Sequence, residues 1–151
     1  MIETQLSLEE LTLSIEQEIH VAASLEQTFE ALLEQIGPGN ETPDGTKMPM
    51  VIEPWPGGRW YRDLGGDNGH FWANVQAIKR PTLLEFAGPL FASYPLTSNV
   101  QYRLSEEAGG TLIKFHHKAF GLVDPNHRAN VNKGWSWINE CTRKRAEGRL
   151  K

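Results

Sequence analysis

Two adjacent histidines, His116 and His117, lie in the segment TLIKFHHKAF, which predicts a β-strand. Because successive strand residues face opposite ways, the two imidazoles cannot share a metal ion. Lys114 and Lys118 mark the His116 face as wet, so His117 points inward. An inward imidazole in an apolar setting needs a hydrogen-bond partner. The sequence therefore predicts a paired core histidine. A polar anchor for a ligand and a catalytic base are the two alternatives.

Arg62 is the second side chain that could do chemistry. It shares one face of the predicted strand RWYRDL with Trp60, so an inward Trp60 brings Arg62 inward unless a bulge intervenes. An inward guanidinium would bind a carboxylate or a phosphate well. The alternative is that Arg62 reaches the rim of the sheet and pairs with an acid.

Other catalytic and metal-binding patterns are missing from the sequence. There is no H-E-x-x-H, no G-x-S-x-G and no Walker loop. His20, His70 and His127 have no useful ligand spacing. The glycine-rich GGDNG lies between two predicted strands and does not open a helix over a phosphate. We therefore predict no metal, no cofactor and no catalytic residue, and a binding domain more readily than an enzyme.

The segment SLEQTFEALLEQIG (residues 24–37) predicts an amphipathic helix that helps to position these side chains. Ser24 and Gln27 fit a capping box, and Gly37 fits a left-handed cap. The apolar stripe at helical spacing comprises Leu25, Phe29, Leu32, Leu33 and Ile36. A second face carries Glu26, Glu30 and Glu34, which predict a solvated surface or, alternatively, a docking surface.

Strand patterns occupy most of the remaining chain. A strand near residues 11–23 keeps a period of two that is broken at Gln17, and six more strand segments follow the helix, beginning with MPMVIEPW. Their short connections require antiparallel pairing. In PWPGGRW, the prolines and glycines set the direction in which the strand of Trp60 enters the sheet. Trp72 alternates with apolar neighbours, which places it on the outer surface of the sheet.

After Asp124 and Pro125, which fit an N-cap and a first-turn position, the pattern becomes helical for roughly 20 residues. The apolar stripe of this helix contains Val131, Trp135, Ile138 and Thr142. Trp137 lies on another face and predicts contact with loops or with a second subunit. The order strand, helix, six strands, long helix favours a curved antiparallel sheet with the helix on its concave side.

Composition excludes several classes of protein. The 151 residues have a net charge of −4, with eleven acidic residues and one lysine in residues 1–53 and seven basic residues in 128–151. This balance does not predict nucleic-acid binding. No apolar run is long enough for a membrane span, no signal peptide is recognisable, and Cys141 is the only cysteine. We therefore predict a cytoplasmic protein.

Five motifs in the correct order resemble one known family. They are AASLEQTFEAL, PGGRW, VQAIKRPTLLEF, GGTLIKFHHKAF and the pair Gly134-Trp135. The chain resembles the START-like, or SRPBCC, superfamily with the fold of the major birch pollen allergen, and within it the proteins related to the activator of the Hsp90 ATPase. Thr28 departs from the family pattern, which usually has valine there.

The resemblance implies an α+β helix-grip fold with six to seven strands, a long C-terminal helix and one or two short helices after the first strand. It predicts one domain at residues 13–151, preceded by an extension at residues 1–12. The predicted function is a cavity for a small apolar or aromatic molecule. An interaction module that regulates a chaperone ATPase or similar partner, a homodimer, and a cyclase- or hydrolase-like enzyme on an aromatic substrate are the alternatives. The predicted cavity residues are Trp60, Arg62, Phe86, Tyr102, Phe115, His117, Trp135 and Ile138.

Overall fold

The computed structural model describes residues 5–150. The elements in chain order are β1 (Thr12–Val21), α1 (Leu25–Ile36), β2 (Val51–Ile52), β3 (Arg59–Gly65), β4 (Asn68–Lys79), β5 (Leu83–Gly88), β6 (Leu96–Glu107), β7 (Gly110–Gly121) and α2 (Pro125–Ala146). Residues 1–4 of the predicted extension and Lys151 lie outside the described residues. The division into an extension and one domain stays a prediction.

The seven strands of the described chain form one antiparallel sheet in the order β1-β7-β6-β5-β4-β3-β2. Neighbours from β2 to β7 are also neighbours in sequence, as their short connections require. The exception is β1, which pairs along ten residues with β7, the last strand of the chain. α1 and α2 pack against each other and cover the inner face. This is the predicted helix-grip arrangement.

Helix α1 begins with the predicted capping box. The Ser24 hydroxyl accepts a hydrogen bond from the Gln27 backbone, and the Gln27 side chain accepts one from the Ser24 backbone. The left-handed cap predicted at Gly37 is wrong, because its φ is −108° and its ψ is −123°. Glycine is needed there for a different reason: a Cβ would lie 2.7 Å from the Leu33 carbonyl oxygen.

Helix α2 also begins where the sequence predicts. The Asp124 carboxylate accepts a hydrogen bond from the Asn126 backbone N–H at 2.8 Å, and Pro125 occupies the first turn. The helix is 22 residues long, and its last turn carries Arg143, Lys144 and Arg145, whose charges suit the C-terminal dipole. Within residues 5–150, no helix is long and apolar enough to cross a membrane.

The predicted exposure of Trp72 is wrong, and a β-bulge is the reason. In the pairing of β3 with β4 the register shifts between Trp60 and Tyr61, so that Trp60 pairs with Ala73 while Tyr61 pairs with Phe71. The extra residue, Trp72, turns inward and is only 8% exposed. Phe71 turns outward instead. A bulge of this kind re-aims side chains on the bulged strand, and strict alternation cannot predict it.

Candidate functional site

One concave surface of the described chain is almost wholly apolar, and we call it the pocket. It lies between α2 on one side and β4 with two loops on the other, and its volume is about 480 Å³. Its lining residues are Met48, Trp72, Phe91, Ala92, Tyr94, His127, Asn130, Val131, Gly134, Trp135 and Ile138. None of them is Lys, Arg, Asp or Glu. Other concavities of the described surface carry several charged side chains each.

A series of aromatic rings in contact with one another forms one wall and continues into the core. Trp72 lies at the pocket, with Phe91 at 5.5 Å and Trp60 at 5.0 Å between ring centroids. Trp60 stacks on Phe86 at 4.6 Å and donates its indole N–H to the Ile36 carbonyl at the end of α1. Trp60 and Phe86 are fully buried behind Trp72 and do not line the pocket.

His117 lies beneath α2 and has both ring nitrogens paired. Its Nδ1 accepts the indole N–H of Trp135 at 2.9 Å, and its Nε2 lies 2.9 Å from the Ser98 hydroxyl. Because an indole nitrogen only donates, Nδ1 must be unprotonated, so Nε2 donates to Ser98. Burial lowers the pKa of His117 to about 4, which keeps the imidazole neutral. His117 is 0% exposed and forms no part of the pocket lining.

A second histidine does face the pocket. The Tyr94 hydroxyl is hydrogen-bonded to Nδ1 of His127, and the His127 ring lies 4.7 Å from that of Phe91. Nε2 of His127 is buried and has no hydrogen-bond partner in the part of the chain that the structure describes. Burial lowers the pKa of His127, with Asp124 opposing the shift. Tyr94 and His127 are the main polar groups of the pocket, with Asn130.

Tyr102 belongs to a polar chain that joins the sheet to α2. Its hydroxyl donates to Asn139 at 2.8 Å, and Asn139 donates to Gln17 at 2.8 Å. Gln17 donates in turn to Asn132 and Ser136. This explains the break in the β1 pattern, because Gln17 faces the helix and needs polar partners. Burial raises the pKa of Tyr102 strongly, so it stays a neutral donor.

Arg62 lies at the rim of the sheet. Its Nη1 donates to the Pro49 carbonyl at 2.7 Å, so its partner is a backbone oxygen and not the acid that one of the alternatives expected. Phe115 is buried between Tyr102 and Trp135, with both ring centroids 4.9 Å away. Neither Arg62 nor Phe115 lines the pocket.

The pocket thus contains two of the eight predicted residues, Trp135 and Ile138. Sequence reasoning missed Tyr94 and His127. A signal for His127 exists: it precedes Val131 by four residues and Trp135 by eight, so it continues the apolar stripe of α2. Tyr94 lies in the loop between β5 and β6, where no periodicity predicts which way a side chain points.

One family model matches most of the chain. The model described as activator of Hsp90 ATPase homolog 1-like protein matches residues 22–139. The chain belongs to this family. It is thereby a START-like, SRPBCC protein, in agreement with the motifs and the fold. The match spans α1 through most of α2 and includes every lining residue of the pocket.

Solved structures with the same fold differ in what their names say. An uncharacterised protein from Rhizobium leguminosarum has a TM-score of 0.71 at 15% identity, with 91% of this chain and 95% of that chain covered. The Aha1 dimer from Colwellia psychrerythraea has a TM-score of 0.66 at 15% identity, covering 92% and 99%. The di-domain aromatase/cyclase StfQ of steffimycin biosynthesis has a TM-score of 0.66 at 12% identity, covering 94% and 53%. Such identities show the fold alone. The search of curated proteins finds no match.

Proposed function

We propose that the protein is a binding domain for a small, uncharged, apolar or aromatic molecule, and that the pocket holds it. The observation that carries the proposal is the pocket lining, which is aromatic and aliphatic with three polar side chains and no formal charge. Small-molecule sites have this make-up, and their volumes run from roughly 300 to 1,000 Å³. At about 480 Å³ the pocket suits a ligand of modest size.

Gly134 supports the same proposal from the side of the helix. It lies inside α2 and lines the pocket, and a Cβ built on it would meet nothing within 4 Å. Glycine in a helix interior is less stable than alanine by about 0.8–1.0 kcal/mol, and here no neighbouring atom requires it. What glycine supplies at this position is open space in the pocket.

The experiment that tests the proposal fills this space with a larger side chain at position 134. Gly134→Leu places a side chain that points back along α2 toward Asn130 and Val131 and so occupies the pocket. Gly134→Ala is the matched control, since it makes the same backbone change with one carbon. A ligand at a hundredfold excess over its Kd stabilises the folded state by about 2.7 kcal/mol. We expect bicyclic aromatic compounds to raise the melting temperature of the wild type and of Gly134→Ala, but not of Gly134→Leu.

Native mass spectrometry of protein purified from its own host gives an independent reading. A bound small mass that is present in the wild type and lost in Gly134→Leu supports the proposal. If no compound shifts the wild type and no mass is bound, the pocket is not a ligand site.

The second candidate function is regulation of a chaperone ATPase, which the family description suggests. The observation in its favour is the acidic stripe of α1, where Glu26, Glu30 and Glu34 are all exposed. Its test is the ATPase rate of the chaperone from the same host with and without the protein. Glu26→Lys with Glu34→Lys should remove any stimulation, because both carboxylates lie on that stripe. Glu9→Lys with Glu18→Lys serves as the charge control, because it makes the same change in net charge at two exposed positions outside α1.

A further inference from the structure

The hydrogen bond between Tyr94 and His127 fixes where the imidazole carries its proton. Burial raises the pKa of Tyr94, so the phenol keeps its hydrogen. Nδ1 of His127 is the side-chain acceptor that the structure gives this hydroxyl among the described residues, so the phenol donates to Nδ1. A neutral imidazole that accepts at Nδ1 carries its hydrogen at Nε2.

That Nε2–H is a donor without an acceptor. The atom is buried, and no group among residues 5–150 accepts its hydrogen bond. Buried donors are nearly always paired, because leaving one unpaired costs free energy. The ring belongs to the pocket lining, and Tyr94 occupies the opposite nitrogen. Because Nε2 itself has almost no accessible surface in this structure, a bound molecule reaches it by displacing the side chains that cover it. An acceptor on that molecule then supplies the partner that this atom lacks.

The charges around the pocket restrict the acceptor further. No lysine or arginine lies among the described lining residues, so a carboxylate would enter without a counter-ion. The charged group that acts on His127 is the Asp124 carboxylate, which would repel a second negative charge. A neutral oxygen, such as a ketone carbonyl, gains the hydrogen bond without losing the hydration of an ion.

We propose that the pocket selects neutral aromatic molecules that carry a carbonyl-type acceptor, bound by the Nε2–H of His127 while Tyr94 holds the tautomer. This proposal rests on the proposed function of the pocket. It adds a specificity-determining residue and the chemical group that this residue recognises.

Three probes of one shape test the selection: 2-acetylnaphthalene, 2-ethylnaphthalene and 2-naphthoate, measured by isothermal titration calorimetry or fluorescence. We expect the wild type to bind the ketone about 5- to 10-fold more tightly than the ethyl compound, the contribution of one net hydrogen bond. The carboxylate should bind least. In His127→Phe the ratio of the ketone and ethyl affinities should fall to about one, because the variant has no N–H donor for the ketone. His127→Gln, which returns an N–H donor, should recover part of the preference.

A measurement on the unaltered protein covers the case in which the variants do not fold. Histidine-ring nitrogen spectra should report the Nε2–H tautomer for His127, and the ketone should shift that signal while the ethyl compound does not. If neither naphthalene binds the wild type, the proposed function fails. If both bind equally, or if the preference survives in His127→Phe, the pocket binds ligands but His127 does not select them. Tighter binding of 2-naphthoate would overturn the neutrality of the ligand.

Discussion

Trp135 of α2 donates its indole N–H to Nδ1 of His117 on β7 at 2.9 Å, and the two rings meet edge to face at 5.6 Å. Both side chains are fully buried. The other ring nitrogen of His117, Nε2, donates a hydrogen bond to the Ser98 hydroxyl of β6. These two bonds tie the helix to two strands at one defined position along its length. The same tryptophan has another surface toward the pocket, so the core contact also sets the pocket wall.

Replacing Trp135 with alanine should destabilise the protein by about 3–5 kcal/mol, because a buried large aromatic ring leaves a cavity and His117 loses its donor. Urea unfolding measures the change. Trp137→Ala on the same helix is the control. Trp137 is half-buried and donates to the Glu41 carbonyl, so its loss should cost less than half as much. Equal losses of unfolding free energy would show that the hydrogen bond to His117 and the burial of Trp135 add little to stability.

The stability of the fold should fall as pH drops from 6.5 toward 4. The pKa of His117 is lowered from 6.5 to about 4 by burial, so between these values the unfolded chain binds a proton that the folded chain does not. Stability is then greatest above pH 6.5 and declines by about 3 kcal/mol by pH 4 from this residue.

Two half-buried histidines titrate in the same direction, because the pKa values of His116 and His127 are also lowered. The contribution of His117 is therefore measured as the difference between two proteins that share the other histidines. Urea unfolding at several pH values is compared between the wild type and His117→Gln, whose side chain does not titrate. The wild type should lose more stability than the variant. Parallel pH profiles would contradict the assignment to His117.

Thr28→Val should stabilise the protein by about 1 kcal/mol. Thr28 is 0% exposed in α1, and its hydroxyl has no hydrogen-bond partner among the described residues. A buried hydroxyl without a partner is unfavourable, and valine keeps the shape without it. Thr142→Val is the control, since the Thr142 hydroxyl donates to the Ile138 carbonyl at 3.0 Å and should not show the gain. Thermal unfolding of both variants decides the matter.

Local signals were enough to predict most of the fold. The capping box of Ser24, the N-cap of Asp124 and the short hairpins each depend on residues close in sequence, and all of them form. Gly37 and Trp72 were harder. At Gly37 a Cβ would meet the Leu33 carbonyl and also, at 3.0 Å, the Ile52 side chain of β2, and at Trp72 the pairing with β3 contains a bulge. The contact with Ile52 and the bulge both depend on pairing between segments, which a single segment does not reveal.

The pocket was less predictable than the fold for the same reason. Inward orientation is a property of a strand, and it correctly directs Trp60 and Phe86 toward the core. Whether an inward side chain reaches an open space depends on how far α2 stands from each strand. Tyr94 comes from a loop and meets His127 only because the loop between β5 and β6 folds over the start of α2.

Cys141 should react slowly with thiol reagents in the folded protein. It is 4% exposed in α2, and burial raises the pKa of its thiol, so little thiolate is present at neutral pH. Labelling with a chromogenic disulfide reagent should be slow in buffer and fast in urea. Fast labelling in buffer would show that the part of α2 around Cys141 opens readily.

Gly134→Ala should raise the stability of the ligand-free protein by about 0.5–1 kcal/mol, since alanine is the better residue in a helix interior and its Cβ meets nothing within 4 Å. Urea unfolding measures the gain. Gly37→Ala is the contrasting variant, because a Cβ there would lie 2.7 Å from the Leu33 carbonyl oxygen and 3.0 Å from the Ile52 side chain, and it should destabilise instead. If Gly134→Ala is more stable and still binds ligand as the wild type does, one added carbon leaves enough space in the pocket for the ligand. A loss of stability would show that neighbouring side chains pack more closely against Gly134 than the structure indicates.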